Sequence, residues 1–442
     1  MSITNTIGGM LEKVAPVMAN YYSFDDSLAA ALKPSKSAKV SRKLYEIPIK
    51  KYPGGLRRKF SADGGSLGSG TGPVYDYMKA GFIDSTINTT ITQEQIDLTE
   101  SSEQSRVNVL KDILNDAMKV LNNHDNIDLF GDGTGVLTNS SSDSPAANQL
   151  TFAGATDGIG VNRLLLGMAV DAWDSALTTI RSGGPFTVTA IDYENKIVTL
   201  SGSPGSLTST DYLVVADVDA YGPSGPTSFS STWPAGGLTT AAGLTGDSWR
   251  HGLEYGNDVD NAYFLAKAKA TFPQLKPQHV PAGDAVFQFD HIEQAKNLLI
   301  QARGAEAVSQ LEGVMHQDRL LDLKRANLAA SYNLIEGQNK TKDMMPGGSY
   351  TDTYQVSGIT THISRSADRG RFDCFVKGNW CRVEGAPTRF HKNPDSGAYI
   401  FEARSSDAVA ASWIMFLKQK FDWCCEDPGA SAYVSGLRLS AR

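Results

Sequence analysis

The chain has 442 residues, with 41 Lys and Arg against 48 Asp and Glu, for a formal net charge of −7. That length supports two or three packed units whose cores need no disulfide staples. An apolar fraction of 41% excludes a mainly disordered chain, and the negative sum excludes a general polyanion binder, which phosphate would repel.

Two short helices are predicted first. Ile7, Met10, Leu11 and Val14 are spaced three and four apart, and residues 21–32 supply a second helical segment. Residues 1–20 hold no sustained apolar run of the secretion-signal type, since Glu12 and Lys13 interrupt it. A basic stretch follows over residues 33–59, opposed only by Glu46. Residues 1–60 carry eleven basic and four acidic side chains, a net of +7, so the remainder carries −7 − 7, or −14. A basic arm on an acidic body suits contact between copies of the chain, or contact with a polyanion.

Leu44–Tyr52 reads as an extended segment that Pro48 places at an edge. The glycine-rich tract 54–72 has few side chains with which to build a core of its own. Residues 86–96 alternate β-branched and polar side chains as a strand does. The strongest helix follows: Leu110, Ile113, Leu114, Ala117 and Leu121 mark one face, and Ser101 with Gln104 fits a capping box. Asn122 and Asn123 are expected to end it, with a turn over residues 128–135.

Further along, residues 164–181 are expected to be helical. Residues 186–192, 196–201 and 211–216 read as three short strands, within a β-rich module inserted at 184–246. Helical spacing resumes at 258–270, 291–303 and 319–335. Strands are expected at 354–365, 372–383 and 399–402, and a last helix at 408–421. Strands segregated from helices indicate an α+β fold rather than a repeated βαβ sheet.

No motif for catalysis or metal binding survives scrutiny of its context. Gly64, Ser66 and Gly68 match GxSxG, but a nucleophile elbow needs a strand before it and a helix after it. The glycines at 68–72 and 131–135 lack the lysine or the strand–helix setting of phosphate and dinucleotide loops. Asp125, Asp128 and Asp132 have Ile127 and Phe130 where an EF-hand requires oxygen ligands. The seven histidines show no i, i+4 pair. Cys374, Cys381, Cys424 and Cys425 have no zinc-module spacing and are expected to be buried free thiols of a reducing compartment. The expectation is a non-enzymatic chain without metal or cofactor, soluble and folded in cytoplasm, and no run of eighteen apolar residues spans a membrane.

The order of elements carries a resemblance. A basic arm leads to a glycine-rich loop; Glu94, Asp97 and Glu100 lead into the long helix; and residues 128–137, reading DLFGDGTGVL, close it. In this order the chain resembles the major capsid proteins of tailed bacteriophages, of the HK97-like fold. The resemblance implies an N-terminal arm at 1–45, an extended E-loop with its strands at 46–95 and a P-domain spine helix at 96–130. It implies an A-domain at 131–350 interrupted by the β-module at 184–246, and C-terminal strands at 351–442 completing both domains. It further implies hexamers and pentamers in an icosahedral head around double-stranded DNA, assembled in the host cytoplasm. Its partners would be a portal, a separate scaffolding protein and decoration proteins. An encapsulin-like compartment shares the fold and is the alternative, and a serine hydrolase using Ser66 is the more distant one. From the charge split, Arg57, Arg58 and Lys59 at the loop base are expected to meet Glu94, Asp97, Glu100 and Glu103 of another copy.

Overall fold

The computed structural model describes residues 28, 32–34, 44–52, 54–55, 72–92, 103–138, 146–152, 158–181, 183–205, 208, 210–217, 248–259, 263–265, 267–332, 353–391, 400–405 and 408–439. The two expected N-terminal helices (apart from Leu28 and Leu32), residues 56–71 of the glycine tract with Ser66, and residues 221–246 lie outside this set.

The chain alternates between ribbons and layered sheets. Its first described strand is β1 (Lys33–Pro34); β2 (Leu44–Tyr52) and β3 (Val74–Gly81) then form an antiparallel ribbon. Alternation gives the ribbon two faces. Tyr45, Ile47, Ile49 and Met78 are buried, whereas Pro48, Lys50, Tyr75 and Tyr77 face outward. Pro48 stands opposite Tyr77 in a strand that pairs on one side only, as its missing N–H requires.

After Phe82 the chain enters β4 (Ile83–Thr92), which runs antiparallel along β19 (Ala408–Cys425). β19 also pairs with β17 (Trp380–Phe390) and β18 (Ile400–Ser405), and β1 adds to β17 in parallel. β17 bulges at Gly385, where a Cβ would stand 2.9 Å from the Phe82 ring. The bare backbone there seats the root of the ribbon.

The expected helix at 408–421 is therefore corrected to a strand. Met415, Leu417, Gln419, Phe421 and Trp423 are buried at every second position, with Lys418 exposed between them. Neighbours on both sides satisfy the backbone of this central strand. A short apolar run fits either period until such partners are known.

Helix α1 (Glu103–Asp128) has 26 residues and is about 39 Å long. It passes the expected stop at Asn122 and Asn123 because one side of its last turns, with Leu121, Asn122, Asp125, Ile127 and Asp128, is buried and arginines hold Asp125 and Asp128 there. Turns then lead to the sheet β5 (Gln149–Thr151), β8 (Ile197–Leu200), β7 (Phe186–Asp192), β6 (Ala169–Trp173) and β9 (Tyr212–Val215), in that spatial order. The three strands expected at 186–216 are present, yet they pair with strands that precede residue 184.

Residues 164–181 are turns around a strand, not the expected helix. Gly167 has φ +80°, and Asp174 accepts backbone hydrogen bonds from Thr178 and Thr179 at 2.7 and 3.1 Å, which stabilises a turn. The helix expected at 258–270 is likewise corrected, to a short helix α2 (Leu253–Gly256) followed by a hairpin of β10 (Tyr263–Phe264) and β11 (Lys267–Ala268). That hairpin holds the ribbon: Lys79 N–H donates to the Leu265 carbonyl at 3.3 Å, and Lys267 Nζ donates to Asp76 at 2.7 Å.

The remaining layer is a six-stranded mixed sheet of β12 (Gln278–Ala285), β20 (Ser431–Leu437), β16 (Phe372–Val376), β13 (Leu311–Met315), β15 (Ile359–Ile363) and β14 (Thr353–Val356), in that order. Helices α3 (Phe289–Arg303) and α4 (Gln317–Tyr332) form where helical spacing predicted them. Phe287, Ile292, Leu299 and Phe372 centre the core of this layer. A second core, around Trp380, Trp423, Phe421, Phe264 and Tyr45, joins the ribbon to the long-strand sheet. The whole is an α+β fold with mixed sheets.

Candidate functional site

Two buried ionic clusters fix how the layers meet. The first lies under the C-terminal end of α1. Asp125 and Asp128 occupy its last turn, where the helix dipole disfavours negative charge. Arg250 Nη1 donates to Asp128 at 2.5 Å and to Asp125 at 3.3 Å, and Arg382 Nη1 donates to the other Asp125 oxygen at 3.0 Å. Gln419 Nε2 adds a bond to Asp125 at 2.7 Å, and Arg250 Nη2 reaches Ser85 at 2.5 Å.

The Phe421 ring lies 3.8 Å from the Arg250 guanidinium carbon and 3.7 Å from that of Arg382, so both cations stack against it. Burial pushes the Asp125 carboxyl up from its ordinary value, against the pull of Arg382 and Arg250. Next to it, Asp422 accepts from the His251 backbone N–H at 2.9 Å and approaches His251 Nδ1 at 2.6 Å. The His251 ring packs on Tyr255 and is buried. Through this hub α1 is bolted to β4, β17 and β19.

The second cluster joins the region of the β5–β9 sheet to that of the six-stranded one. The Arg163 guanidinium forks onto Glu254 of α2, and its Nε donates to the Ser366 carbonyl at 2.8 Å. Arg371 Nε donates to Asp373 at 2.9 Å, and Asn257 Nδ2 donates to the same carboxylate at 3.1 Å. Burial raises the Glu254 carboxyl from 4.5 to about 7, and Arg163 works against that rise.

A raised acid binds its proton more tightly folded than unfolded. Stability therefore falls as pH rises from 4.5 to about 7 and levels off above, by at most about 3 kcal/mol. Glu254→Gln should remove this component. Urea midpoints at pH 5 and pH 8 should differ less in the variant than in the parent; an equal difference in both would contradict the assignment.

Of the residues expected at an inter-subunit contact, Arg57, Arg58, Lys59, Glu94, Asp97 and Glu100 lie outside the described residues. Glu103 opens α1, and its side chain is not described. In chain order the three cations fall between β2 and β3, and Glu94, Asp97 and Glu100 fall between β4 and α1. The buried hub was missed in the sequence. Its only signal was a pair of arginines, Arg250 directly after Trp249 and Arg382 two positions after Trp380, remote in sequence from Asp125.

The four cysteines are free and buried. Burial pushes the Cys374 thiol up to about 12, and those of Cys424 and Cys425 well above the usual range, so none of these three is a ready nucleophile. Among the described residues no group of three or more His, Cys, Asp or Glu side chains is placed to hold a metal ion. No helix among them is long and apolar enough to cross a membrane.

No protein-family model matches the chain, and no curated protein does. Among solved structures the chain is similar to several phage capsid proteins and to an encapsulin shell. One is the capsid asymmetric unit of cyanophage A-1(L), at 11% identity and a TM-score of 0.48, covering 95% of each chain. Another is the mature capsid of bacteriophage PhiM1, at 8% identity, 95% and 89% coverage and a TM-score of 0.42. A third is the SrpI encapsulin of Synechococcus elongatus, at 7% identity, 94% and 90% coverage and a TM-score of 0.41.

Proposed function

We propose that this chain is a non-catalytic shell subunit, a major capsid protein of HK97-like architecture that assembles with copies of itself. One observation carries the reading: the β2–β3 ribbon. A lone two-stranded ribbon is marginally stable in water. This one is anchored at its root by Phe82 and along its length by Lys79 and Asp76, yet its outer face leaves Tyr75 and Tyr77 at 60 and 49% exposure. Tyrosines held on a rigid ribbon suit burial against another molecule. The glycine-rich tract 54–72, between β2 and β3 in the sequence, would be costly to order, at about 1–2 kcal/mol per residue, and in this reading a neighbouring copy offsets that cost.

In this reading residues 1–45 are the N-arm, 46–95 the E-loop region, 96–130 the spine helix of the P-domain and 131–350 the A-domain with its β-module. Residues 351–442 complete both domains. The subunits form hexamers and pentamers of an icosahedral head that holds double-stranded DNA, with portal, scaffolding and decoration proteins as partners. Arg57, Arg58 and Lys59 of one copy meet Glu94, Asp97, Glu100 and Glu103 of another.

The test is assembly. Expressed alone or with its scaffolding partner, the parent chain should give closed particles or rings by negative-stain microscopy. Arg57→Glu with Arg58→Glu should abolish them while the circular dichroism spectrum and melting profile of the subunit stay unchanged. Normal particles from the double variant would rule out the pairing, and a purely monomeric parent would rule out the shell. Particles holding a protein cargo instead of nucleic acid would move the reading to an encapsulin-like compartment.

A further inference from the structure

β17 and β19 run antiparallel with Cys381 directly opposite Cys424. Directly opposed residues have Cα atoms about 4.5–5.5 Å apart, inside the span of about 4.4–6.8 Å that a disulfide bridges. Their side chains leave the sheet on the same face, and both are buried in one core cluster. Cys381 Sγ lies across the ladder, 3.5 Å from the Cys424 carbonyl oxygen.

The other two cysteines are placed differently. Cys425 stands opposite Trp380, and bonding it to its neighbour Cys424 would strain the backbone. Cys374 lies in β16 opposite Gly313 and Ala432, within the core of the six-stranded sheet. The opposed pair is also near an exit. It is one rung in from the end of the ladder, next to the exposed turn at Lys377 and Gly378.

We propose that Cys381 and Cys424 are an oxidisable pair, closing a disulfide across β17 and β19 when the chain meets a small-molecule disulfide. As the ladder end opens, one cysteine loses its proton and attacks the reagent, releasing one small thiol and leaving a mixed disulfide. The second cysteine, as thiolate, then attacks the protein sulfur of that mixed disulfide and releases the other small thiol. The two protein thiols give up two electrons and two protons, and the reagent takes them up as two thiols. Burial pushes the Cys424 thiol well above its usual value, so it stays protonated in the closed ladder and exchange is slow until the end frays. β17 is the strand on which β1 docks and which carries Arg382 and Gly385, so the bond would stiffen the seat of both the ionic hub and the ribbon.

The test uses the full chain and does not depend on assembly. Folded protein is incubated with oxidised glutathione, quenched by alkylation in denaturant and digested with trypsin without reduction. Peptide 378–382 should be recovered joined to peptide 421–438, lighter than their sum by two hydrogens. The bond should survive in Cys425→Ser and be absent in Cys381→Ser. The oxidised parent should also melt several degrees higher than the reduced one, a difference reversed by dithiothreitol and absent in Cys381→Ser. Four alkylated cysteines after prolonged oxidation, or a crosslink joining any other pair, would overturn the proposal.

Discussion

Asp125→Ala should lower the stability of the folded chain by about 3–5 kcal/mol, read as a fall in the urea midpoint at unchanged slope. The size follows from what the substitution leaves behind. Asp125 is fully buried and shares two guanidiniums, Arg250 and Arg382, which are themselves 1% and 4% exposed. Removing the carboxylate strips charge compensation from both cations without giving either access to water. Asp128 and Ser85 still hold Arg250, and Gln419 and Glu384 still flank Arg382, so the hub loosens rather than vanishes.

Asp125→Asn keeps the shape and one acceptor and should cost less than alanine. A double-mutant cycle with Arg382→Met should return a coupling of about 0.5–3 kcal/mol. Amides of residues 117–128 should lose hydrogen-exchange protection, since the end of α1 is held by this contact. A change below about 1 kcal/mol in Asp125→Ala would mean that the hub is not what fixes α1.

The hub also shows why the sequence yields some of this structure and withholds the rest. Leu44–Tyr52 was legible as an edge strand because Pro48 is a local constraint with a local consequence. The helices at 289–303 and 317–332 were legible because each buries one face against one sheet. The strand Ala408–Cys425 was not, because a run such as Trp413-Ile-Met-Phe-Leu417 satisfies both periods, and only β4, β17 and β18 decide between them. Those partners are far away in the chain. So are the members of the hub, with Gln419 bonded to Asp125 across 294 positions. Glycines at 131–135 stood out in the sequence as a motif, yet their reason appears only when the segment at 249–252, which bridges Asp132 through His251, is laid beside them.

Gly252→Ala should be as damaging as the loss of Asp125, at about 3 kcal/mol or more, for a different reason. Gly252 has φ −97°, which any residue adopts, so its constraint is space and not backbone freedom. A Cβ there would stand 2.3 Å from Gly131 N, 2.5 Å from Gly131 O and 2.7 Å from Asp128 O. All three are backbone atoms, so no side chain can swing aside.

The backbone is pinned as well. Leu253 N–H donates to Leu129 O at 2.7 Å, Tyr255 N–H to Gly131 O at 3.3 Å and Trp249 N–H to Gly133 O at 2.6 Å. Relieving the collision means breaking these bonds and drawing Arg250, two residues away, off Asp125 and Asp128. The variant should therefore lose stability and also weaken the anchorage of α1, with the same loss of exchange protection at 117–128. Gly72→Ala is the matched control, because a Cβ at Gly72 meets nothing within 4 Å, and it should change stability by no more than about 1 kcal/mol. Equal stabilities for the two alanine variants would show that the contact between residues 131 and 252 does not set how the end of α1 is held.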